Sequence, residues 1–210
     1  MITFHKILFI TLSYIIGSIP FGLLLGKIKN VDLRKTGSNN IGASNATRVL
    51  GKKIGILTYL LDLLKGALFV FLFRYEILPE KFMVLSPLLY GVIATLGHSY
   101  SIFIGFKGGK GVSTGFGAVF AYLPIIIIAI PIFLLVVKKT KIASIGSLVC
   151  TSCVVIISLI FTILKYDFIT NLQTDIYLIF GTLIIAILIF IKHIPNIKRL
   201  INKTENTLIK

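Results

Sequence analysis

Two lysines and a group of closely spaced glycines make one segment of this sequence suitable for binding an anion. Residues 97–114 read GHSYSIFIGFKGGKGVST and contain His98, Lys107, Lys110 and the glycines Gly108, Gly109 and Gly111. Glycine allows sharp turns and leaves backbone N–H groups unobstructed. Beside two lysines, such a loop favours phosphate or a similar anion. A flexible basic loop between two membrane helices is the structural alternative.

The spacing of this segment differs from that of a nucleotide-binding P-loop. From Gly105 it reads G-x-x-x-G-K-G, one spacer short, and Gly111 occupies the position where a serine or threonine would bind Mg²⁺. The three histidines of the chain also lack the carboxylate or cysteine neighbours that a metal site needs. We therefore predict no metal site and no cofactor.

A second polar cluster lies in the basic loop 27–53. Residues 36–48 read TGSNNIGASNATR, where Ser38, Asn39 and Asn40 supply neutral hydrogen-bonding groups and Arg48 supplies a fork for bidentate phosphate binding. The same residue types populate turns, so a connecting loop is the alternative. Next to the glycine segment, we favour a binding site.

Membrane helices must position these clusters. The chain has 210 residues, 56% of them hydrophobic, and its mean hydropathy of +0.99 indicates an integral membrane protein. No small-residue cleavage site follows the first apolar run, so we expect a retained span rather than a signal peptide. Apolar runs of suitable length predict spans at 4–26, 54–73, 83–104, 142–164 and 176–191.

Residues 112–137 are too long for one simple span and contain Pro124 and Pro131. We predict two short helices, 112–122 and 125–137, with a single kinked helix as the alternative. The fold class is therefore an all-α integral membrane protein with about seven transmembrane helices, forming one domain over residues 1–210.

The distribution of charge predicts the orientation. With seven crossings, loops 27–53, 105–111 and 138–141 and the tail 192–210 lie on one side and carry seventeen Lys and Arg residues, against four on the other side. Positively charged loops remain cytoplasmic, so we expect the C-terminus and both polar clusters in the cytoplasm and the N-terminus outside. A single crossing through 112–137 would place the last two basic segments outside, which the charge rule disfavours.

Further polar residues lie in or near the predicted spans. Asp62 and Lys65 share a helix face and are expected to form a structural pair. His98, at the inner end of its span, is as consistent with a structural role as with a functional one. Three more residues lie where they could reach the site formed by the two polar clusters: Ser144, His193 and Asn196.

Several other chemistries are excluded or disfavoured. The net charge of +15 lies in short loops without the aromatic and basic clusters that stack bases, so no nucleic acid is expected. There is no G-x-S-x-G nucleophile motif. The fifth residue after His98 is Phe103 and after His193 is Lys198, so no H-x-x-x-x-D pair exists. This argues against an acyltransferase whose histidine is oriented by an aspartate.

Five ordered motifs resemble the bacterial acyl-phosphate-dependent glycerol-3-phosphate acyltransferase family. They are GSIPFG at 17–22, GSNNIGASNATR at 37–48, D-x-x-K-G at 62–66, GH at 97–98 and FKGGKGV at 106–112. The resemblance covers essentially the whole chain. It implies a small multi-span fold in the bacterial cell membrane with an active site facing the cytoplasm.

The resemblance implies acyl transfer from acyl phosphate to the 1-hydroxyl of sn-glycerol 3-phosphate, the first step of phospholipid synthesis. It assigns catalytic roles to Ser38, Arg48, Lys107, His193 and Asn196. The expected substrate-binding residues are Asn39, Asn40, His98, Gly108, Gly109, Lys110, Gly111, Ser144 and Glu205. The tail departs from the family pattern, since Pro195 replaces an often acidic or polar residue and Lys203 replaces a usual glycine.

The implied reaction is physically consistent with these residues. Acyl phosphate is an activated mixed anhydride, so we expect direct attack by the glycerol hydroxyl, with lysines and backbone donors stabilising the developing charge. The base is either His193 or a phosphate oxygen of the substrate. Expected partners are the two substrates and membrane lipids, without an obligatory protein partner. A small anion transporter and another lipid-phosphate transferase are the rival functions.

Overall fold

The computed structural model describes residues 4–208 and shows a helical bundle. Within this range there are nine α-helices: α1 (Phe4–Ser18), α2 (Phe21–Ile28), α3 (Ala43–Leu50), α4 (Lys52–Arg74), α5 (Pro87–Ser99), α6 (Val112–Tyr122), α7 (Ala129–Thr140), α8 (Ala143–Leu164) and α9 (Ile176–Ile201). Three 3₁₀ turns connect some of them: Glu80–Phe82, Ile102–Ile104 and Pro124–Ile128. The predicted helical architecture is confirmed. The far ends of the predicted domain and tail, residues 1–3 and 209–210, lie outside the described residues.

Two short strands modify the all-α prediction. Strand β1 (Tyr166–Asp167) pairs antiparallel with β2 (Leu172–Gln173), with Tyr166 opposite Gln173. They form a hairpin in the predicted polar loop 165–175, where the buried carboxylate of Asp167 accepts hydrogen bonds from the Ile169 N–H and the Thr170 hydroxyl. The two strands lie in the connection between α8 and α9, and the rest of the bundle is helical.

Five segments are long and apolar enough to cross a bilayer. Within residues 4–208 these are Ile7–Ile28, Lys52–Arg74, Pro87–Ile104, Ala143–Leu164 and Ile176–Ile201. They agree with the five single spans predicted from the sequence, so the protein is a multi-pass membrane protein. α6 is apolar but shorter. The α6–α7 region is divided after Tyr122 as predicted, but the second helix begins at Ala129 rather than at residue 125, because Pro124–Ile128 forms a 3₁₀ turn.

Two further predicted boundaries are wrong. Loop 27–53 is not irregular throughout, because its second half forms α3, which packs on α4. The Ser, Asn and Thr residues of α3 are weak helix formers, so tertiary packing rather than propensity stabilises it. The seventh span does not end at residue 191, since α9 continues through Pro195 to Ile201 and makes half of the predicted tail helical.

Close backbone contacts fix α6 against α4. A side chain added at Gly66 would overlap the backbone of Thr114, and one added at Gly117 would overlap the backbone of Leu63. Small residues let membrane helices approach at this distance. The start of α6, which follows the glycine segment, is thereby held at a fixed position.

A buried ion pair joins α4 to the break between α1 and α2. Lys65 Nζ lies 2.7 Å from Asp62 Oδ1, and both side chains are 2% exposed. Lys65 Nζ also donates to the carbonyl of Ile19 at 2.8 Å. Ile19 and Pro20 separate the two helices, so the lysine satisfies a carbonyl at the break. The predicted pairing of these two charges is confirmed.

Candidate functional site

A cavity of about 390 Å³ opens at one end of the bundle. Its polar wall includes Ser38, Asn40, Ser44, Arg48, Lys52, His98, Lys110, Ser113, Ser144, His193, Asn196 and Glu205. Its apolar wall includes Ile56, Tyr59, Phe116, Ile130, Phe133, Leu134 and Cys150. The lining therefore offers polar groups for a charged ligand and apolar groups for a hydrocarbon chain.

Lys52, the first residue of α4, lines this cavity, and so do the N-termini of three further helices. They are Gly42–Ser44 at the start of α3, Gly111–Ser113 at the start of α6, and Ala143 with Ser144 at the start of α8. None of these three starts carries a side-chain hydrogen bond to its cap. Uncapped N–H groups and the positive ends of helix dipoles favour bound anions. The convergence makes this end of the cavity suitable for an anion, largely through backbone groups.

The cavity also shows that the chain reverses between α6 and α8. The first residues of both helices lie at the cavity. α6 runs away from it for 11 residues, about 16 Å at 1.5 Å per residue. The turn Pro124–Ile128 and α7 must therefore bring the chain back. A single kinked helix does not describe this segment.

Asn45, buried on α3, organises the loop that carries Ser38 and Asn40. Its Oδ1 accepts the N–H of Ser38 at 2.8 Å. Its Nδ2 contacts three backbone carbonyls at 2.8–3.1 Å, those of Leu33, Thr36 and Asn40. This one side chain therefore closes the loop over the start of α3. The sequence motif predicted roles for Asn39 and Asn40 and none for Asn45.

The tail after α9 folds back over the cavity. Glu205 Oε1 accepts hydrogen bonds from Asn196 Nδ2 at 2.6 Å and from the Ser144 hydroxyl at 3.1 Å. Its Oε2 pairs with Arg199 Nε at 2.7 Å. Further along, Arg48 Nε donates to the Thr207 carbonyl at 2.9 Å. The tail thus links α3, α8 and α9, and it places the Glu205 carboxylate inside a site rich in positive charge.

Burial perturbs two cations of the polar wall, Lys110 and Arg48. It lowers the pKa of Lys110 to about 8, with the Glu205 carboxylate acting in the opposite direction. It also lowers the pKa of Arg48, again opposed by Glu205. Both groups are poorly hydrated cations, and a bound anion would stabilise their charged forms.

His193 is held in one tautomer. The ring is 1% exposed, and Nδ1 lies 2.8 Å from the Ile189 carbonyl of the preceding turn. A carbonyl can only accept, so Nδ1 carries the proton of a neutral ring. Nε2 is then left as the acceptor of this cavity-lining side chain.

The structure brings most of the predicted site residues together. Ser38, Asn40, Arg48, His98, Lys110, Gly111, Ser144, His193, Asn196 and Glu205 line the cavity. Lys107 and Asn39 are exposed and are not among the lining residues, and neither are Gly108 and Gly109. The chain turns at Gly105 and Phe106, where φ is 61° and 62°. Residues of the site that the sequence analysis missed are Ser44, Asn45, Lys52, Ser113 and Arg199.

Fold and site together define a multi-pass membrane protein with a cavity lined by both positively charged and apolar side chains. The family model described as glycerol-3-phosphate acyltransferase matches residues 7–203. The chain is 41% identical to a glycerol-3-phosphate acyltransferase of Acholeplasma laidlawii, covering 95% of this chain and 91% of the relative. It is 40% identical to one of Bacillus subtilis, covering 94% and 95%. The chain belongs to the glycerol-3-phosphate acyltransferase family.

Two crystal structures of PlsY, an integral membrane glycerol 3-phosphate acyltransferase, share this fold. The glycerol 3-phosphate form superposes with a TM-score of 0.82 at 33% identity, covering 96% of this chain and 94% of that one. The lysophosphatidic acid form gives a TM-score of 0.79 at 32% identity with the same coverage. The family membership inferred from the motifs is confirmed by both sequence and structure.

The charge on Lys110 predicts how ligand affinity depends on pH. A lysine with a pKa of about 8 loses its charge as the pH rises through that value. We therefore expect the Kd for glycerol 3-phosphate to increase about tenfold between pH 7 and 9.5, the scale of one charge-assisted hydrogen bond. The ligand phosphate is already dianionic over this range. Calorimetric titration of wild type beside Lys110→Arg measures the effect; an equal pH dependence in both proteins would contradict it.

Replacing Asn45 should disorganise the loop. Asn45→Ala leaves buried backbone groups without partners, which costs about 2–3 kcal/mol of unfolding free energy. Thermal unfolding in lipid nanodiscs should show a lower Tm, with loss of activity through Ser38 and Asn40. The matched control is Asn202→Ala, an exposed asparagine at the end of α9, which should retain the wild-type Tm. Equal Tm values for both variants would refute the role of Asn45.

Proposed function

We propose that this protein transfers a fatty acyl group from acyl phosphate to the 1-hydroxyl of sn-glycerol 3-phosphate. The products are 1-acyl-sn-glycerol 3-phosphate (lysophosphatidic acid) and inorganic phosphate, which begins phospholipid synthesis. Family membership supports the acceptor, and one observation carries the proposal. Three uncapped helix N-termini meet Arg48 and Lys110 at a cavity whose lining also includes an apolar wall.

The reaction requires two phosphate groups to occupy one pocket. At ~5 Å and an effective dielectric of ~20, each pair of unit charges repels by about 3 kcal/mol. Within the cavity, Asp62 is paired with Lys65 and Glu205 is paired with Arg199. The positive charges of Arg48, Lys52 and Lys110 remain to offset the repulsion, assisted by the helix N-termini.

The apolar wall suits the acyl chain of the donor. Tyr59, Phe116 and Phe133 lie on this wall together with aliphatic residues of α4 and α7. A fatty chain bound there would place its phosphate end at the polar wall. This arrangement supports a lipidic donor over a soluble anion as cargo, and so favours the acyltransferase over the transporter.

The chemistry is a direct displacement at the acyl carbonyl. The glycerol oxygen forms a bond to the carbonyl carbon, the bond from that carbon to the phosphate oxygen breaks, and phosphate leaves. Lys110 and the backbone N–H groups stabilise the charge that develops on the oxygens. Ser38, Arg48 and Asn196 hold the substrates in register, which supplies rate through orientation. Lys107 is exposed and does not line the cavity, so Lys110 takes the role in the glycine segment that was expected of Lys107.

The hydroxyl proton has two acceptors in this arrangement. One is Nε2 of His193, whose Nδ1 faces the Ile189 carbonyl. The other is a nonbridging oxygen of the bound phosphate. A positioned base increases kcat by about 10²–10⁴-fold. A decrease of that size in His193→Gln would identify Nε2 as the acceptor, and a wild-type kcat would identify the phosphate oxygen.

We further propose seven crossings of the bacterial cell membrane, with the N-terminus outside and the site in the cytoplasm. The reversal at Pro124–Ile128 supports two crossings for α6 and α7. Tyr122, at the far end of α6, donates to Asp175 at the start of α9 and stacks on Arg74 at the end of α4. α6 therefore connects the cavity to the opposite end of the bundle despite its length.

This topology predicts which loops are accessible from each side. In a background of Cys150→Ser and Cys153→Ser, an impermeant maleimide should label Lys107→Cys in inverted vesicles only. Glu80→Cys, in the opposite loop, should be labelled in intact cells only. Both positions are exposed, so the side of the membrane on which each cysteine lies determines whether it is labelled. Labelling of both cysteines from the same side would overturn the orientation.

The donor assignment predicts the substrate requirement. Purified protein in lipid nanodiscs, given glycerol 3-phosphate with palmitoyl phosphate, palmitoyl-CoA or palmitoyl-ACP, should yield lysophosphatidic acid from palmitoyl phosphate alone. Arg48→Ala should reduce kcat/KM by at least about tenfold, because charged hydrogen bonds contribute about 1.5–3 kcal/mol.

Each alternative result has a definite meaning in this assay. Product from the thioesters would overturn the donor assignment. Absence of product from every donor, in protein with a cooperative unfolding transition, would favour a transporter. Wild-type turnover in Arg48→Ala would remove Arg48 from the site.

A further inference from the structure

A buried chain of polar contacts leads from the break between α1 and α2 to the glycine segment. It begins at the Ile19 carbonyl, continues through Lys65 and Asp62 on α4, and reaches His98 in the last turn of α5. His98 Nδ1 lies 3.6 Å from Asp62 Oδ1, and the two side chains are 4% and 2% exposed. Burying charged side chains in a membrane protein costs free energy, so this series of polar contacts requires an explanation beyond helix packing.

His98 contacts the glycine segment through its ring and its backbone. Its carbonyl accepts the N–H of Gly109 at 3.0 Å, and the next carbonyl, that of Ser99, accepts the N–H of Gly108 at 3.2 Å. A Cβ on Gly109 would overlap the His98 ring at its Nε2 edge. The ring therefore has Asp62 at one nitrogen and Gly109 at the other.

The segment fixed in this way carries the groups that face the cavity. Lys110 follows Gly109 directly, and Gly111, with φ of 83°, begins α6. Lys192 Nζ also donates to the Ser99 carbonyl at 2.8 Å, which further fixes the end of α5 that holds the glycine segment. A shift of the segment would move the Lys110 ammonium group and the N-terminus of α6 together.

We infer that His98, oriented by Asp62, is a positioning residue that sets the placement of Lys110 and the α6 N-terminus through Gly109. This inference rests on the proposed function and narrows the expectation that His98 binds substrate directly. The imidazole acts as a spacer of fixed orientation between α4 and the glycine segment. Its effect falls on the binding of phosphate rather than on the bond-breaking step.

A double-mutant cycle tests the inference. His98→Ala should raise the KM for at least one of the two phosphate substrates about tenfold, because small displacements of binding groups are costly, while kcat changes by less than about threefold. Gly109→Ala should be at least as damaging, since its methyl group collides with the ring. The double variant should be no worse than His98→Ala, because the methyl group then occupies vacated space. Such non-additivity is the signature of a direct contact.

Controls separate this inference from folding and from the proposed function. Ser13→Ala removes a buried hydroxyl that donates to the Tyr90 carbonyl between α1 and α5, and it should leave both KM values unchanged. Calorimetric Kd values for glycerol 3-phosphate report binding independently of turnover. Wild type that binds this ligand without catalysing transfer would refute the proposed function and leave the cycle measurable. Additive effects in the cycle, or a loss of kcat at constant KM in His98→Ala, would overturn the positioning role.

Discussion

In the proposed function a helical membrane protein must hold anions, and this need accounts for the connections around the cavity. Backbone N–H groups at helix starts meet this need with little cost in buried charge, since their partial charge is fixed by peptide geometry. Placing three such starts at one cavity dictates the connections around it. α3 must end next to α4, α6 must return through α7, and only Lys141 and Ile142 separate α7 from α8. The short helices and abrupt turns of the chain result from this requirement.

Carboxylates appear in this positive site because each has a cation of its own. Glu205 is paired with Arg199 and uses its remaining acceptor capacity to hold Asn196 and the Ser144 hydroxyl. Since Asn196 Nδ2 donates to Glu205, the amide oxygen of Asn196 can accept a hydrogen bond from a substrate hydroxyl group. Asp62 is likewise paired with a cation, Lys65. The two acids therefore orient neighbouring side chains while the net charge of the cavity stays positive.

Local patterns in the sequence predicted the spans and the division at Leu123, because apolar length, proline and charge asymmetry are properties of short segments. They also located the two polar motifs that supply Ser38, Arg48 and Lys110. They failed at α3, whose polar residues form a helix only when packed on α4. They also failed at the end of α9, where the polar residues are typical of a terminal tail although the helix continues to Ile201. The contact of Glu205 with Ser144 spans 61 residues, so no local pattern contains it. The exposure of Lys107 depends on the turn at Gly105 and Phe106, which a glycine-rich motif permits without specifying its direction.

Lys203 has a backbone conformation that is easier for glycine than for lysine. It follows α9 and adopts a φ of 56°, a conformation that costs about 1–2 kcal/mol for residues with a Cβ and little for glycine. The turn forms nonetheless because Glu205, two residues later, is fixed by three partners. The native state therefore tolerates a local conformational penalty that a glycine would remove. Position 203 is thus a natural point at which to increase thermal resistance for biophysical work without altering any residue that faces the cavity.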